Sequence, residues 1–378
     1  MDTKKFRTKQ EFRKKINPKG KHYIIGLDAG YSSMKVFYET GYFCFPSFIQ
    51  QIEETLLTVP GPDDILYRDM ETGELYMIGR TAQEMVSSTD TNATEGELFS
   101  RKRYTQNSFQ ILCNAAIALA IEEKKDNRDI MIQTGLPTAY VEGDSVALKK
   151  ALCKNKTFEL KVGAGIWKKY TLSLKQDLIY VMPQPAGSFY SALIRSNGEY
   201  MPDAREFLFS NVLVMDIGFG TFDFYGIKSR TISCRESIDD IGMREVLKRT
   251  SARILEELNE DIRVAALQKN LESGSVVYVD EEEMQTDEKP LAPYLGKAND
   301  EVFQKAMSKA KAVTNAYRDY QKLIIGGGTG EAWFEKIQEY LSKMKSLQVI
   351  PSNRNENLQF LYSNVRGYYL YRYSIDRR

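Results

Sequence analysis

The stretch 212-VLVMDIGFGTFDFYGI-227 joins two apolar runs through a bend that contains an aspartate, two glycines and a threonine. A second stretch, 24-IIGLDAGYSSMKVFYE-39, has the same order of apolar run, aspartate, glycine bend and apolar run. Apolar runs bounded by glycine are typical of strands joined by short turns. Because open α/β sheets bind ligands at strand ends, the repeated pattern predicts two α/β domains that face a shared cleft.

The two bends carry the side chains that a phosphate site needs. Glycine lets backbone N–H groups approach phosphate oxygens, and the hydroxyls of Ser32 and Thr221 add donors. Asp28 and Asp216 would repel phosphate unless a cation lay between them, so they predict Mg²⁺ held through water. Lys35, seven residues after Asp28, supplies positive charge. The pattern therefore predicts a nucleoside triphosphate bound with Mg²⁺ between two loops.

Competing interpretations differ in how well they fit. A single Asp-x-Gly-x-Gly bend is more often an ordinary hairpin, and 326-GGGTG-330 is either a nucleotide-contacting turn or a simple joint between strand and helix. No GxxxxGK[ST] motif is present, and 218-GFGTFD-223 places Asp where a dinucleotide fingerprint requires Gly. His22 is the only histidine, so chemistry that requires a histidine base is not expected.

Bulk properties bound the class of protein. The chain has 378 residues, of which 42% are hydrophobic and 27% charged, as expected for about two globular domains. Its longest uncharged apolar stretch, 111–121, is shorter than the ~20 residues that span a bilayer. The charged N-terminus lacks the pattern of a signal peptide, and the four cysteines form no CxxC pair. These features predict a cytoplasmic protein without a membrane partner.

Charge is unevenly distributed along the chain. Residues 1–21 contain nine Lys/Arg and two Asp/Glu, a net charge of +7, whereas the remaining 357 residues carry −6. Such a basic segment is either a solvated, partly helical tail or a contact for DNA, an acidic partner or a neighbouring subunit.

Periodicity and turn residues predict the order of the elements. Strands are expected at 23–27, 34–39, 41–49, 130–137, 178–182, 212–217, 222–227, 230–234 and 322–328, with hairpins at 65–79 and 156–175. Helices are expected at 106–124, 138–153, 185–194, 241–270, 299–318, 331–344 and 364–373. The segment 196–209 is interpreted as a linker, and the acidic segment 280–289 as a loop.

These motifs, in this order, resemble the actin-like ATPase superfamily. The stretches 28-DAGYSSMK-35 and 216-DIGFGTFD-223 resemble its two phosphate loops, 324-IIGGGTGE-331 resembles its adenosine motif, and 183-PQPAGSFYSAL-193 resembles the connection that carries its catalytic glutamine or glutamate. Within the superfamily, 45-FPSFI-49, 133-QTGLP-137 and 363-SNVRGYYLY-371 look like the ParM/Alp branch of bacterial actins, which form filaments that separate plasmids.

The resemblance implies the duplicated, ribonuclease H-like actin fold. The expected domains are domain I at 22–195 and 345–378 and domain II at 196–344, and the basic tail at 1–21 departs from the compact pattern of the superfamily. Gln184, Asp216 and Asp28 would be catalytic, and Asp28 and Asp216 would hold the metal through water. The nucleotide-binding residues would be Asp28, Gly30, Ser32, Ser33, Lys35, Gly218, Phe219, Gly220, Thr221, Gly326, Gly327, Gly328 and Thr329.

The sequence leaves the roles of two residues undecided. Tyr31 departs from the pattern, since many relatives have a small residue beside the phosphates; its ring either points away from the nucleotide or shapes the cleft. Asp223 is either part of the chemistry or a support for the second loop.

The implied cofactors are ATP or GTP with Mg²⁺. The implied function is that of a filament-forming ATPase whose partners are further copies of itself and a DNA-binding adaptor protein, with direct DNA contact by residues 1–21 as an addition. Regions 41–79 and 280–289 are candidate filament contacts. The alternative is a sugar or metabolite kinase of the same fold that does not polymerise.

Overall fold

A computed structural model describes residues 2–53, 60–85, 103–280 and 283–377. The strands are β1 (Glu11–Lys14), β2 (Tyr23–Ala29), β3 (Ser33–Tyr38), β4 (Gly41–Pro46), β5 (Ile49–Ile52), β6 (Ile65–Asp69), β7 (Leu75–Ile78), β8 (Ile130–Leu136), β9 (Lys156–Val162), β10 (Lys168–Leu172), β11 (Ile179–Pro183), β12 (Val212–Ile217), β13 (Thr221–Lys228), β14 (Thr231–Asp239), β15 (Ser275–Asp280), β16 (Gln285–Pro290), β17 (Lys322–Gly326) and β18 (Gln348–Pro351).

The α-helices that the structure describes follow the predicted order closely. They are α1 (Arg80–Glu84), α2 (Asn107–Ile121), α3 (Val141–Leu152), α4 (Gln184–Leu193), α5 (Ala204–Phe209), α6 (Met243–Leu258), α7 (Leu267–Ser273), α8 (Ala292–Val313), α9 (Gly328–Leu341) and α10 (Ser363–Asp376). The expected linker at 196–209 thus contains one short helix. None of the helices in these ranges is long and apolar enough to cross a membrane.

The two large sheets repeat one plan. The first has the order β1-β4-β3-β2-β8-β11 and the second β14-β13-β12-β17-β18. In the first sheet, β2, β3 and β4 form an antiparallel meander, and β8 pairs in parallel with the free edge of β2. In the second sheet, β12, β13 and β14 form the meander, and β17 pairs in parallel with β12. Each large sheet contributes to its own apolar core. The duplication that the two related bends predict is confirmed.

Two smaller sheets complete the strand structure. The predicted hairpins at 65–79 and 156–175 join β5 in a five-stranded sheet of order β10-β9-β6-β7-β5. The acidic segment 280–289 is not simply a loop, because β15 and β16 pair antiparallel from Ser275↔Pro290 to Asp280↔Gln285. Most of this segment is exposed, so its charges remain solvated although its backbone is paired. The interpretation as a loop was wrong.

Helices α4 and α10 pack between the two large sheets. Their apolar side chains share a third core with Ile24 of β2, Val214 of β12 and Ile324 of β17. The helices cross in backbone contact: a Cβ at Gly367 would lie 2.6 Å from Gly187 C and would clash with the carbonyl oxygen of that residue. Only glycine allows two helices to approach this closely at both positions.

The N-terminal segment is folded onto the body, so the solvated tail was the wrong interpretation. Thr3, Phe6, Gln10 and Asn17 are buried, and β1 extends the first sheet by pairing with β4. Five of its basic side chains form ion pairs within the chain: Lys4, Arg7, Arg13, Lys14 and Lys15.

The chain after residue 345 contacts both large sheets. Strand β18 pairs in parallel with β17 and therefore belongs to the second sheet. Helix α10 then packs against β2 and β8 of the first sheet.

Candidate functional site

A cleft lies where the strand ends of the two large sheets meet. It brings together residues as far apart in the sequence as Lys5 and Asn364. The predicted residues that line it are Asp28, Gly30, Ser32, Ser33, Lys35, Gln184, Asp216, Gly218, Phe219, Gly220, Thr221, Asp223, Gly327, Gly328 and Thr329.

Asp28 is held by two donors on the side of the first loop. Asp28 and Lys35 are cross-strand partners of β2 and β3, which explains their spacing of seven residues. Lys35 Nζ donates to Asp28 Oδ2 at 3.0 Å, and Gln184 Nε2 donates to Asp28 Oδ1 at 2.8 Å. Gln184 begins α4, directly after β11. Because its amide nitrogen is engaged, its carbonyl oxygen is the atom that can accept a bond from water in the cleft.

Asp216 lies in the corresponding place on β12. Asn364 Nδ2 donates to its Oδ2 at 2.6 Å, and the amide of Asn364 is fixed in turn by Ser188 Oγ, which donates to Oδ1 at 2.7 Å. Burial, together with the carboxylates of Asp223 and Asp28, raises the pKa of Asp216 to about 7, although the Asn364 bond and the charge of Lys35 lower it. A carboxyl with such a pKa can accept a proton near neutral pH.

Asp223 is the cross-strand partner of Asp216, at the position that a lysine occupies in the first loop. Its Oδ2 accepts from Thr221 Oγ1 at 2.8 Å, and its Oδ1 accepts from the Thr138 N–H at 3.1 Å and from the Ser237 hydroxyl. Burial raises the pKa of Asp223 to about 6, against these three hydrogen bonds. The side chain ties the second loop to the turn after β8, which is the geometry of a support.

The adenosine-type motif is attached to the second loop. Thr329 Oγ1 donates to the Gly218 carbonyl at 2.7 Å. Gly327 has φ +81°, and a Cβ there would lie 2.5 Å from Asp216 Oδ1, so the position requires glycine. Gly326 differs from the expectation, because a Cβ there would clash with Ser188 Oγ of α4; this glycine serves helix packing and does not line the cleft.

Tyr31 shapes the cleft. A Cβ at Gly220 would lie 3.1 Å from Tyr31 Cδ2, so the ring reaches the second loop. On its other side the guanidinium of Arg103 lies 4.4 Å from the ring centroid. Arg103 is buried and donates to the Ala29 carbonyl at 2.5 Å. No carboxylate among the described residues forms an ion pair with it, which leaves a buried cation beside the first loop.

The donor set fits Mg²⁺ held through water better than direct ligation. Within the described ranges, no three His, Cys, Asp or Glu side chains come together as a metal-binding group. The Tyr368 hydroxyl is buried near Gln184 and has no hydrogen-bond partner in those ranges. Burial and the charges of Asp28, Asp216 and Asp223 raise the pKa of Tyr368 well above its usual value, so the hydroxyl keeps its proton. The carboxylate oxygens of Asp28 and Asp216 line the cleft and would accept hydrogen bonds from the water shell of Mg²⁺.

Several lining residues escape prediction from the sequence. They are Arg103, Met243, Glu331, Leu361, Asn364 and residues 5–9 of the N-terminal segment. Asn364 lies within 363-SNVRGYYLY-371, which the sequence associates only with a branch of a family. Arg103 and residues 5–9 belong to basic runs that carry no motif. Their positions depend on contacts between distant parts of the chain.

Comparisons with known proteins agree with this architecture. Residues 26–187 match the family model "Actin like proteins N terminal domain". A comparison with curated protein sequences found no significant match.

Solved structures match nearly the whole chain. A non-polymerisable quadruple mutant of pCBH ParM has 18% identity and a TM-score of 0.71, covering 93% of this chain and 98% of its own. A 15-stranded ParM filament from Clostridium botulinum has 18% identity, the same coverage and a TM-score of 0.69. The archaeal actin homologue Ta0583 in complex with ADP has 16% identity and a TM-score of 0.62, covering 92% and 97%. The chain therefore has the actin-like fold of the ParM and Alp structures, and its residues 26–187 match the actin-like N-terminal domain.

Proposed function

We propose that this protein binds and hydrolyses a nucleoside triphosphate in its cleft and assembles with further copies of itself into a filament. One arrangement carries the proposal: Asp28, bonded to Lys35 and Gln184, and Asp216, bonded to Asn364, extend from duplicated sheets into one cleft. Phosphoryl transfer relies on positioning and charge stabilisation, and these residues supply both.

The roles follow from the side chains. Gln184 cannot act as a strong base, so it positions the attacking water through its carbonyl oxygen. Asp216, whose pKa is raised to about 7, accepts the proton through water. Lys35 and the backbone N–H groups of the two loops hold the phosphates, while Asp223 supports the second loop. Asp28 and Asp216 would hold Mg²⁺ through water, and the ion would supply positive charge that neutralises the phosphates.

Arg103 adds a second cation at the phosphate end. A buried charge normally has a partner of opposite sign, and the described residues provide none for this guanidinium. Its support by Tyr31 fixes it beside the first loop. We assign it to the terminal phosphate, where negative charge is greatest.

The base is held by the motif at 326–330, in which Gly327 and Gly328 leave room for a nucleoside. We propose ATP as the principal nucleotide, with GTP as the competitor to be measured. An archaeal relative of the same fold is described in complex with ADP, which supports an adenine nucleotide.

Filament assembly rests on the fold and on the relatives described as filaments. A head-to-tail contact that does not close generates a helical polymer. Candidate surfaces are the 41–79 region and the β15–β16 hairpin, which exposes Val277, Val279 and Met284. We propose that DNA, such as a plasmid, is attached through an adaptor protein, because five basic side chains of residues 1–21 are paired within the chain.

The test combines phosphate release with light scattering and sedimentation after addition of ATP–Mg²⁺. We expect turnover together with a rise in scattering above a critical protein concentration. Gln184→Ala should slow phosphate release at least tenfold while nucleotide still binds, so its polymers should last longer. Gln176→Ala, at an exposed glutamine, is the matched control. Normal turnover in Gln184→Ala would contradict the assigned role, and phosphorylation of a metabolite without polymer would favour the kinase.

A further inference from the structure

Residues 3–14, here called the N-terminal strap, connect the two domains along the cleft. Residues Thr3–Phe6 form a 3₁₀ helix that packs against α7 and α9 of the second half. Thr3 Oγ1 donates to the Leu271 carbonyl at 2.8 Å, and Phe6 is buried in the core of that half. The Thr8 N–H donates to Gln268 Oε1 at 2.8 Å. The first part of the strap is therefore anchored to domain II.

The second part is anchored to domain I. Gln10 is buried, and its Nε2 donates to the Asp63 carbonyl at 2.7 Å while its Oε1 accepts from the Arg80 N–H at 2.8 Å. Residues Glu11–Lys14 then pair with β4 along their whole length. The Tyr362 hydroxyl donates to Glu11 Oε1 at 2.8 Å.

The portion between these anchors lines the nucleotide cleft. Lys5, Phe6, Arg7, Thr8 and Lys9 all face the same space as the two phosphate loops and the motif at 326–330. The guanidinium of Arg7 bridges the two halves, with Nη1 2.6 Å from Glu272 Oε2 of α7 and Nη2 3.2 Å from Glu84 Oε1 of α1.

Lys9 brings positive charge to the base end of the cleft. Its Nζ donates to Gln359 Oε1 at 2.8 Å. Burial raises the pKa of Glu331, beside the motif at 326–330, and the charge of Lys9 lowers it. The strap thus contributes a cationic wall next to the proposed nucleoside site.

The strap is too short to follow a large domain movement. Only two residue steps separate the domain II anchor at Thr8 from the domain I anchor at Gln10, and two extended residues span at most ~7 Å. A wider separation at this point must break one anchor. The domain II side consists of a few hydrogen bonds, the ion pairs of Lys4 and Arg7 with Glu272, and one buried ring. The domain I side is a full strand pairing, so the domain II side releases first.

We propose that the N-terminal strap is a latch on the cleft: it forms one wall of the nucleotide site, and its release from α7 limits the rate at which nucleotide leaves. The inference rests on the proposed nucleotide-binding function. It also gives the basic segment a role within the chain.

The experiment measures release of an ATP analogue that carries a fluorescent methylanthraniloyl group, chased with excess unlabelled ATP. A chain in which residues 2–9 are deleted should release it at least tenfold faster than the full chain, and Arg7→Gln about three- to tenfold faster. Ile16→Ala, at a 92% exposed residue just beyond the strap, is the matched control and should leave the rate unchanged. The latch is refuted if all three proteins bind the analogue and release it at the same rate. These proteins are the full chain, the chain without residues 2–9 and the Arg7→Gln variant.

A second readout needs no nucleotide. In the ligand-free protein, amide hydrogen exchange in 267–273 and 326–331 should speed up in the deletion variant and in Arg7→Gln, but not in Ile16→Ala. If the full chain binds no nucleotide at any concentration, the proposed function fails, and this exchange measurement decides the latch alone. Unchanged exchange in both strap variants would overturn it; faster exchange confined to these segments would support it.

Discussion

Replacing Asp216 with asparagine should stabilise the ligand-free protein above pH 7 and abolish its nucleotide hydrolysis. The carboxyl is 5% exposed and its pKa is raised from 3.8 to about 7, chiefly by burial. The folded state therefore binds this proton more tightly than the unfolded state. Stability due to Asp216 is complete below pH ~4, falls as the pH rises towards 7, and stays constant above it.

The gain in free energy of unfolding can be calculated from the change in the pKa of Asp216. A difference of about three pKa units corresponds to ~4 kcal/mol at ~1.4 kcal/mol per unit. Asparagine does not ionise, and its carbonyl oxygen can still accept the bond from Asn364. We therefore expect Asp216→Asn to gain up to ~4 kcal/mol in free energy of unfolding at pH 8 and almost nothing at pH 4.

The assay is urea unfolding of the ligand-free wild type and variant at pH 4, 5, 6, 7 and 8, with Asp177→Asn, at an exposed aspartate, as the control. Saturating ATP–Mg²⁺ should raise the free energy of unfolding of the wild type at pH 8, because a ligand that binds only the folded state stabilises it. The same addition should raise the free energy of unfolding of Asp216→Asn much less. If the difference between the two proteins is the same at every pH, Asp216 does not carry a raised pKa and the proposed proton acceptor is wrong.

Three further substitutions probe the site and its scaffold. Asp223→Asn keeps only one of the two oxygens that accept from Thr221, Thr138 and Ser237, and it also removes a carboxylate with pKa about 6. It should therefore cost ~1–3 kcal/mol of stability at pH 5 and much less at pH 8, as measured by urea unfolding. Arg103→Met should weaken ATP binding and slow phosphate release roughly tenfold without destabilising the ligand-free protein; an unchanged kcat/KM would rule out its phosphate role. Gly367→Ala should lower the unfolding free energy by ~1–3 kcal/mol, because a methyl group cannot fit against Gly187; full stability in that variant would contradict the helix contact.

The local sequence pattern predicts the two bends of the site and the strands that flank them. The spacing of seven residues makes Asp28 face Lys35, and Asp216 face Asp223, because each bend closes an antiparallel pair at that register. Turn glycines and apolar runs likewise predict the antiparallel meanders of both large sheets. These features follow from interactions within about 20 residues, and a single sequence displays them.

The features that the sequence does not predict depend on contacts between residues that are far apart in the chain. Asn364 reaches Asp216 over 148 positions, and Arg7 reaches Glu272 over 265. Neither residue stands in a pattern that marks it locally. Strand β16, with Thr286 as its one β-branched residue, lacks the residues that favour strands, and its pairing depends on the backbone of β15 opposite it. The basic N-terminus predicts a solvated segment by charge alone, whereas its fold depends on carboxylates that the rest of the chain supplies.

The glycine crossing of α4 and α10 bears on the mechanical behaviour of the protein. The close approach lets side chains of one helix bond the other beside the crossing: Ser188 donates to Asn364, and Arg366 donates to the Ser191 carbonyl. Rotation between the helices must therefore break these bonds as well as the polar links at the edge of the cleft, such as Thr138 to Asp223 and Tyr140 to Asp239. The edge links can be removed by single substitutions that leave the packed centre unchanged, so the stiffness of the molecule can be altered there.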